Sequence, residues 1–178
     1  MELNLTRPIC FFDLETTGTN VAKDRIVEIA ILKVFPNGNK ESKTWLVNPE
    51  MPIPKEVVAI HGISDEKVAN EPTFKELSSQ VHDMIKGCDL GGYNSNRFDI
   101  PLLVEELLRA GVDFEMKNVV AVDVQTIFHK KEQISLKIPV ILKEILLFQD
   151  FYENHKKERV FRKKKKIGAF FVYIYSFL

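Results

Sequence analysis

The run Ile9-Cys10-Phe11-Phe12-Asp13-Leu14-Glu15 is an apolar stretch broken at alternate positions by two acids. Such a stretch reads as a buried strand, and alternate residues of a strand share a face. Both carboxylates therefore point one way and Leu14 the other. Two adjacent anions in a water-poor sheet are costly unless a cation compensates them, and a divalent metal is the economical explanation. The competing reading, a strand end that exposes its acids, suits one carboxylate better than two on one face.

At 178 residues, with 45% apolar and 28% charged side chains, the chain is long enough for one domain with a proper core. Residues 167–178 are apolar over too short a span to cross a bilayer, so no membrane association is expected. Met1 to Pro8 mixes charged and polar residues without an apolar leader, and the expected compartment is the cytoplasm. Cys10 and Cys88 form neither a metal spacing nor a disulfide framework, and read as buried thiols. The formal net charge of zero conceals an asymmetry. Residues 1–133 carry 15 Lys and Arg against 21 Asp and Glu, a net of −6, whereas residues 134–178 carry 10 against 4, a net of +6. We therefore expect a domain over 1–133 and an atypical basic and apolar tail over 134–178.

Within that domain, a second strand is expected over Ile26–Phe35 and a third over Lys40–Val47, joined by a two-residue hairpin at Asn37-Gly38. Pro52, Pro54 and Gly62 punctuate a loop and a short helix around Lys55–His61. Thr73 and Glu76 make a capping box, and Phe74, Leu77, Val81, Met84 and Ile85 follow at helical spacing until Gly87. A strand at Leu90–Tyr93, a helix at Ile100–Ala110, a strand at Asn118–Val122 and a helix at Val124–His129 complete the pattern. This order implies an α/β fold, a mixed sheet flanked by helices.

Two further segments carry chemistry. Asp99 closes the segment Tyr93-Asn94-Ser95-Asn96-Arg97-Phe98-Asp99 directly before a helix. An aspartate there is a favoured N-cap, but a strand-to-helix junction in an α/β sheet is also where ligands bind. The segment Pro54 to Ile63 contains His61 followed by Gly62, which by itself suits a simple helix end.

Taken in order, Phe12-Asp13-Leu14-Glu15-Thr16-Thr17-Gly18, Ile60-His61-Gly62-Ile63 and Asn94 through Phe98-Asp99 resemble the motifs of the DEDD-type, or DnaQ-like, 3′-to-5′ exonucleases. That family includes the proofreading epsilon subunits of bacterial DNA polymerase III. The resemblance covers residues 8 to about 133. It implies a ribonuclease H-like fold, with Asp13, Glu15 and Asp99 ligating two Mg²⁺ or Mn²⁺ ions. Such ions, about 4 Å apart, stabilise both the attacking and the leaving oxygen of a phosphodiester displacement. It also implies that Thr16, Thr17, Glu56 and His61 lie beside the terminal nucleotide, with Phe98 against a base or sugar, since stacking is indifferent to base identity. The implied partners are a single-stranded nucleic-acid 3′ end and a DNA polymerase.

The family's last motif, a histidine or tyrosine with an aspartate a helical turn later, is missing. Five positions after His61, His82, His129 and His155 stand Glu66, Gly87, Ile134 and Val160, and Glu66 comes too early in the chain. Four positions after Tyr93 and Tyr152 stand Arg97 and Lys156. The absence coincides with the change of composition near Ile134, as expected if the last helix region is truncated, replaced or encoded out of frame. Activity is then expected to be impaired. A module that binds 3′ ends without cutting, a metal-dependent small-nucleotide hydrolase and a poorly folding product are the rival readings. In the tail, Ile138, Ile141, Leu142, Ile145, Leu146 and Phe148 suit an amphipathic helix, Lys163 to Lys166 a nucleic-acid patch or solvated face, and Gln133 to Leu136 faintly resembles a sliding-clamp peptide.

Overall fold

In a computed structural model that describes residues 5–129, five strands form one sheet in the order β3-β2-β1-β4-β5. The strands are β1 (Ile9–Thr16), β2 (Ile26–Val34), β3 (Lys40–Leu46), β4 (Asp89–Gly92) and β5 (Ala121–Asp123). β2 runs antiparallel to β1 and β3, while β4 and β5 run parallel to β1. The helices are α1 (Lys55–His61), α2 (Asp65–Val68), α3 (Phe74–Ile85), α4 (Asp99–Arg109) and α5 (Val124–His129). The expected mixed sheet flanked by helices is therefore present; α2 was not anticipated. The boundary at residue 133, the tail helix, the lysine run and the clamp-like segment lie outside the described residues.

The alternation in β1 divides the core. Cys10, Phe12 and Leu14 face one side, where they join Ile29, Ile31 and Leu90 beneath Phe74, Leu77, Val81 and Ile85 of α3 and Leu102, Leu103 and Leu107 of α4. Ile9 and Phe11 face the other side with Ala30, Leu32, Val34 and Val124. Burying each large aliphatic or aromatic side chain contributes about 1.5–3 kcal/mol, so this two-sided packing fixes the strand register. The capping box of α3 forms as expected: Thr73 Oγ1 accepts from the Glu76 N–H at 3.3 Å, and Glu76 Oε2 accepts from the Thr73 N–H at 2.7 Å. Both cysteines are free and buried, as read from the sequence.

Three local expectations are corrected. The β2–β3 hairpin closes through Phe35 N–H to the Asn39 carbonyl at 2.9 Å, leaving Pro36, Asn37 and Gly38 as a three-residue loop. Pro36 suits the first turn position and Gly38 takes the positive φ of 82° that ends it. β5 starts at Ala121 rather than Asn118, because Asn118 adopts φ 72° within a turn closed by Val119 N–H to the Met116 carbonyl. β4 begins at Asp89, whose N–H donates to the Pro8 carbonyl, and ends at Gly92 before Tyr93.

Candidate active site

Asp13 and Glu15 lie on one face of β1, opposite Ala30 and Glu28 of β2. Directly paired residues project to the same side, so Glu28 joins the two acids there; it is 5% exposed. Its signal was legible by the rule that singled out Asp13: an acid interrupting Ile26-Val27-Glu28-Ile29-Ala30-Ile31. The register shifts between Glu15 and Thr16, which ends regular pairing and turns the chain into the Thr16–Thr17 loop.

Asp99 comes from the other side of β1. β4 pairs with β1 only as far as Phe11, beyond which its chain leaves for α4. The Leu14 N–H of β1 acts on the Asp99 carboxylate and lowers its pKa. Asp99 is thus the first residue of α4, and Phe98 occupies the cap position without a side-chain cap bond. The N-cap reading is therefore corrected: the carboxylate is turned toward β1. Burial and the Asp13 carboxylate push the Asp99 pKa up to about 7, with Glu15 adding to the rise, against the N–H groups of Asp99 and Leu14.

Of the remaining expected residues, His61 lies against the Thr16–Thr17 loop. His61 ends α1 and is buried. Its Nδ1 accepts from the Ile63 N–H at 3.0 Å, so the ring proton of the neutral form lies on Nε2, 3.3 Å from the Thr16 carbonyl oxygen. Gly62, at φ 74°, lets the chain reverse directly after the histidine. The Thr16 hydroxyl donates to the Gly18 carbonyl at 2.6 Å. The Thr17 hydroxyl, 1% exposed as a residue, donates to Asp24 Oδ1 and accepts from the Arg25 N–H, both at 3.0 Å. Glu56 is exposed in the first turn of α1, and Phe98 is half-buried against the core beneath α4.

A scaffold that the sequence reading missed joins this loop to α4. Glu106 Oε1 accepts from Arg25 Nε at 2.7 Å and Arg109 Nη1 at 2.6 Å, and Arg109 also donates to the Asp24 and Val21 carbonyls. The pattern left no local trace, since Arg25 and Glu106 are far apart in sequence.

Asp13, Glu15 and Asp99 supply hard oxygen donors that suit Mg²⁺ or Mn²⁺. Among the described residues no three His, Cys, Asp or Glu side chains are drawn tightly enough together to hold an ion as they stand. Burial raises the Asp99 pKa most, and the Asp13 and Glu15 carboxylates add to the rise, so a cation placed between them would relieve a real electrostatic cost. The donor set fits a divalent metal.

The exonuclease family model matches residues 10–158. This chain belongs to the exonuclease family. The match continues past residue 133, where the composition changes. Among similar proteins, DNA polymerase III subunit epsilon of Treponema pallidum is 38% identical over 96 residues, covering 54% of this chain and 44% of the relative. A DNA polymerase III subunit epsilon-like protein of Rhodobacter capsulatus is 36% identical over 108 residues, 58% of this chain and 15% of that protein. The 3′-5′ exonuclease DinG of Bacillus subtilis is 34% identical over 101 residues, 56% and 11% of the two chains. The chain spans less than half the length of each of these relatives. Its fold is that of exonuclease I, with a TM-score of 0.63 at 20% identity over 70% of this chain and 30% of the other. Escherichia coli exonuclease I in complex with a dT13 oligonucleotide gives a TM-score of 0.62 at 19% identity, over 72% and 31%. The ribonuclease H-like expectation is borne out.

Proposed function

We propose that this chain is a metal-dependent 3′-to-5′ exonuclease acting on a single-stranded DNA or RNA 3′ end, with Mg²⁺ or Mn²⁺ held by Asp13, Glu15 and Asp99. The observation that carries the reading is that the Asp99 carboxylate, from the first turn of α4, is close enough to Asp13 and Glu15 of β1 for each to raise its pKa. When bound there, divalent cations lower the pKa of an attacking water and neutralise the departing 3′ oxygen. His61 fixes the Thr16 carbonyl through Nε2, and so sets the loop against which the terminal nucleotide lies. Thr16, Thr17, Glu56 and Phe98 border that position. The kinship with epsilon subunits supports a DNA polymerase as partner. Among the described residues, no helix is long and apolar enough to cross a membrane.

The missing late motif implies a slow enzyme, because no identified histidine or tyrosine takes the proton of the water. It also supports a second reading, a module that holds a 3′ end without cutting it. Incubating a 5′-labelled single-stranded oligonucleotide with Mg²⁺ or Mn²⁺ separates them. Stepwise shortening with release of mononucleotides, lost in Asp13→Ala, supports the exonuclease. Retained binding without release supports the module, and shortening unchanged in Asp13→Ala refutes the site.

A further inference from the structure

Asp123 ends β5 beside Gly92, the last residue of β4, and is only 5% exposed although it can ionise. Its carboxylate is saturated by backbone donors. Oδ1 accepts from the Asn94 N–H at 3.0 Å, the Gln125 N–H at 3.0 Å and the Thr126 N–H at 3.4 Å, and Oδ2 accepts from the Asn96 N–H at 3.2 Å. The bonds to Gln125 and Thr126 are an ordinary cap on α5, which serine or asparagine would also make. The bonds to Asn94 and Asn96 are not. They reach back to the loop between β4 and α4, the loop that delivers Phe98 and Asp99.

That loop has few other restraints. Asn94 sits at φ 56°, a left-handed conformation that costs energy unless the surroundings hold it. The Ser95 hydroxyl is buried without a partner among the described residues and lends the loop nothing. The Ser95 carbonyl accepts from the Ile100 N–H at 2.9 Å, so whatever fixes residues 94–96 also fixes the first turn of α4. Charge-assisted bonds from a buried carboxylate are about twice as strong as neutral ones. Both oxygens engage the loop, which a single capping hydroxyl could not do.

We propose that Asp123 is a positioning residue for the candidate active site: by clamping Asn94 and Asn96 it sets where α4 begins, and so places the Asp99 carboxylate at the Leu14 N–H beside Asp13 and Glu15. The inference rests on the proposed function only for the metal's part in its test. Asp123→Ser keeps an acceptor for the α5 cap and removes the two bonds to the loop. Two readouts are taken on the full chain: Mn²⁺ affinity by titration, and hydrogen exchange at the Leu14 amide, which reports the bond to Asp99 without any metal. We expect Mn²⁺ binding weakened about 10- to 100-fold and Leu14 exchange accelerated, while the amides of α3 remain as protected as in the wild type. Unchanged Leu14 exchange together with unchanged Mn²⁺ affinity overturns the positioning role and leaves the metal site standing. If the wild type binds no Mn²⁺, the metal reading fails, and Leu14 exchange alone decides for or against Asp123. Should Asp123→Ser fail to fold, Asp123→Asn, which keeps one acceptor oxygen, is read the same way with a smaller expected effect.

Discussion

The Leu14 N–H lowers the pKa of the Asp99 carboxylate, although Leu14 itself faces the α3 side of the sheet with its side chain buried. One residue thus anchors the core with its side chain and the site with its backbone, so packing errors at β1 are transmitted directly to the carboxylate cluster. Asp99 holds its proton more tightly in the fold than in the unfolded chain, its pKa rising from 3.8 to about 7. Its favourable contribution is therefore fully present below pH 3.8 and is lost as pH rises through about 7. Thermal melts of wild type and Asp99→Asn in chelator should coincide near pH 4, with the variant gaining on the order of 1 kcal/mol or more by pH 8. Saturating Mn²⁺ should narrow the difference by stabilising only the wild type. A gap independent of pH would refute the assignment.

Glu106 is 1% exposed and bridges two arginines. Glu106→Gln removes the buried anion that Arg25 and Arg109 share, leaving Arg109 on Glu105 at 3.1 Å and Arg25 within 4.0 Å of Glu50, and should cost about 1.5–3 kcal/mol in denaturant unfolding. Because Arg25 follows the Thr17 loop and Glu106 lies on α4, the same variant should loosen the two sides of the site. A loss under about 0.5 kcal/mol, the level of an ordinary surface change, would contradict the scaffold role.

His61→Phe keeps an aromatic ring but removes the ring nitrogens that accept from the Ile63 N–H and face the Thr16 carbonyl. The expected loss is about 1–3 kcal/mol of stability. Binding of a labelled oligonucleotide 3′ end should weaken as well, and fluorescence anisotropy measures it. Stability loss with undiminished binding would remove His61 from the nucleotide site and leave it a structural residue.

Without the late histidine or tyrosine and its aspartate, the rate of mononucleotide release should fall about 10²- to 10⁴-fold below that of a relative carrying the motif. A relative whose own sequence carries the motif, assayed beside this chain on the same oligonucleotide, is the direct comparator. Equal rates would mean that another group in this chain supplies the proton transfer.

Gly91 sits against the Phe11 ring so closely that a Cβ would lie 2.7 Å from a ring carbon. Gly91→Ala should therefore destabilise by about 1–3 kcal/mol through overpacking between β4 and β1, measurable as a lower midpoint in urea. A neutral substitution would show that the two strands separate more easily than their register suggests.

The β1 alternation, the α3 capping box and the apolar spacing of α3 and α4 were legible in the sequence because each is a local property, set by side chains a few residues apart on one strand or helix turn. The placement of Asp13 and Glu15 on one face follows from strand geometry alone. What meets that face does not. Glu28 opposite Glu15, Arg25 on Glu106, and Asp123 on Asn94 and Asn96 join residues that share no period, and only the folded sheet brings them together. Asp99 shows the division most clearly. The sequence placed it at the start of a helix, where a cap was the simplest role, but the first turn of α4 carries its carboxylate to Asp13, Glu15 and the Leu14 N–H of β1, and only tertiary packing decides such a placement.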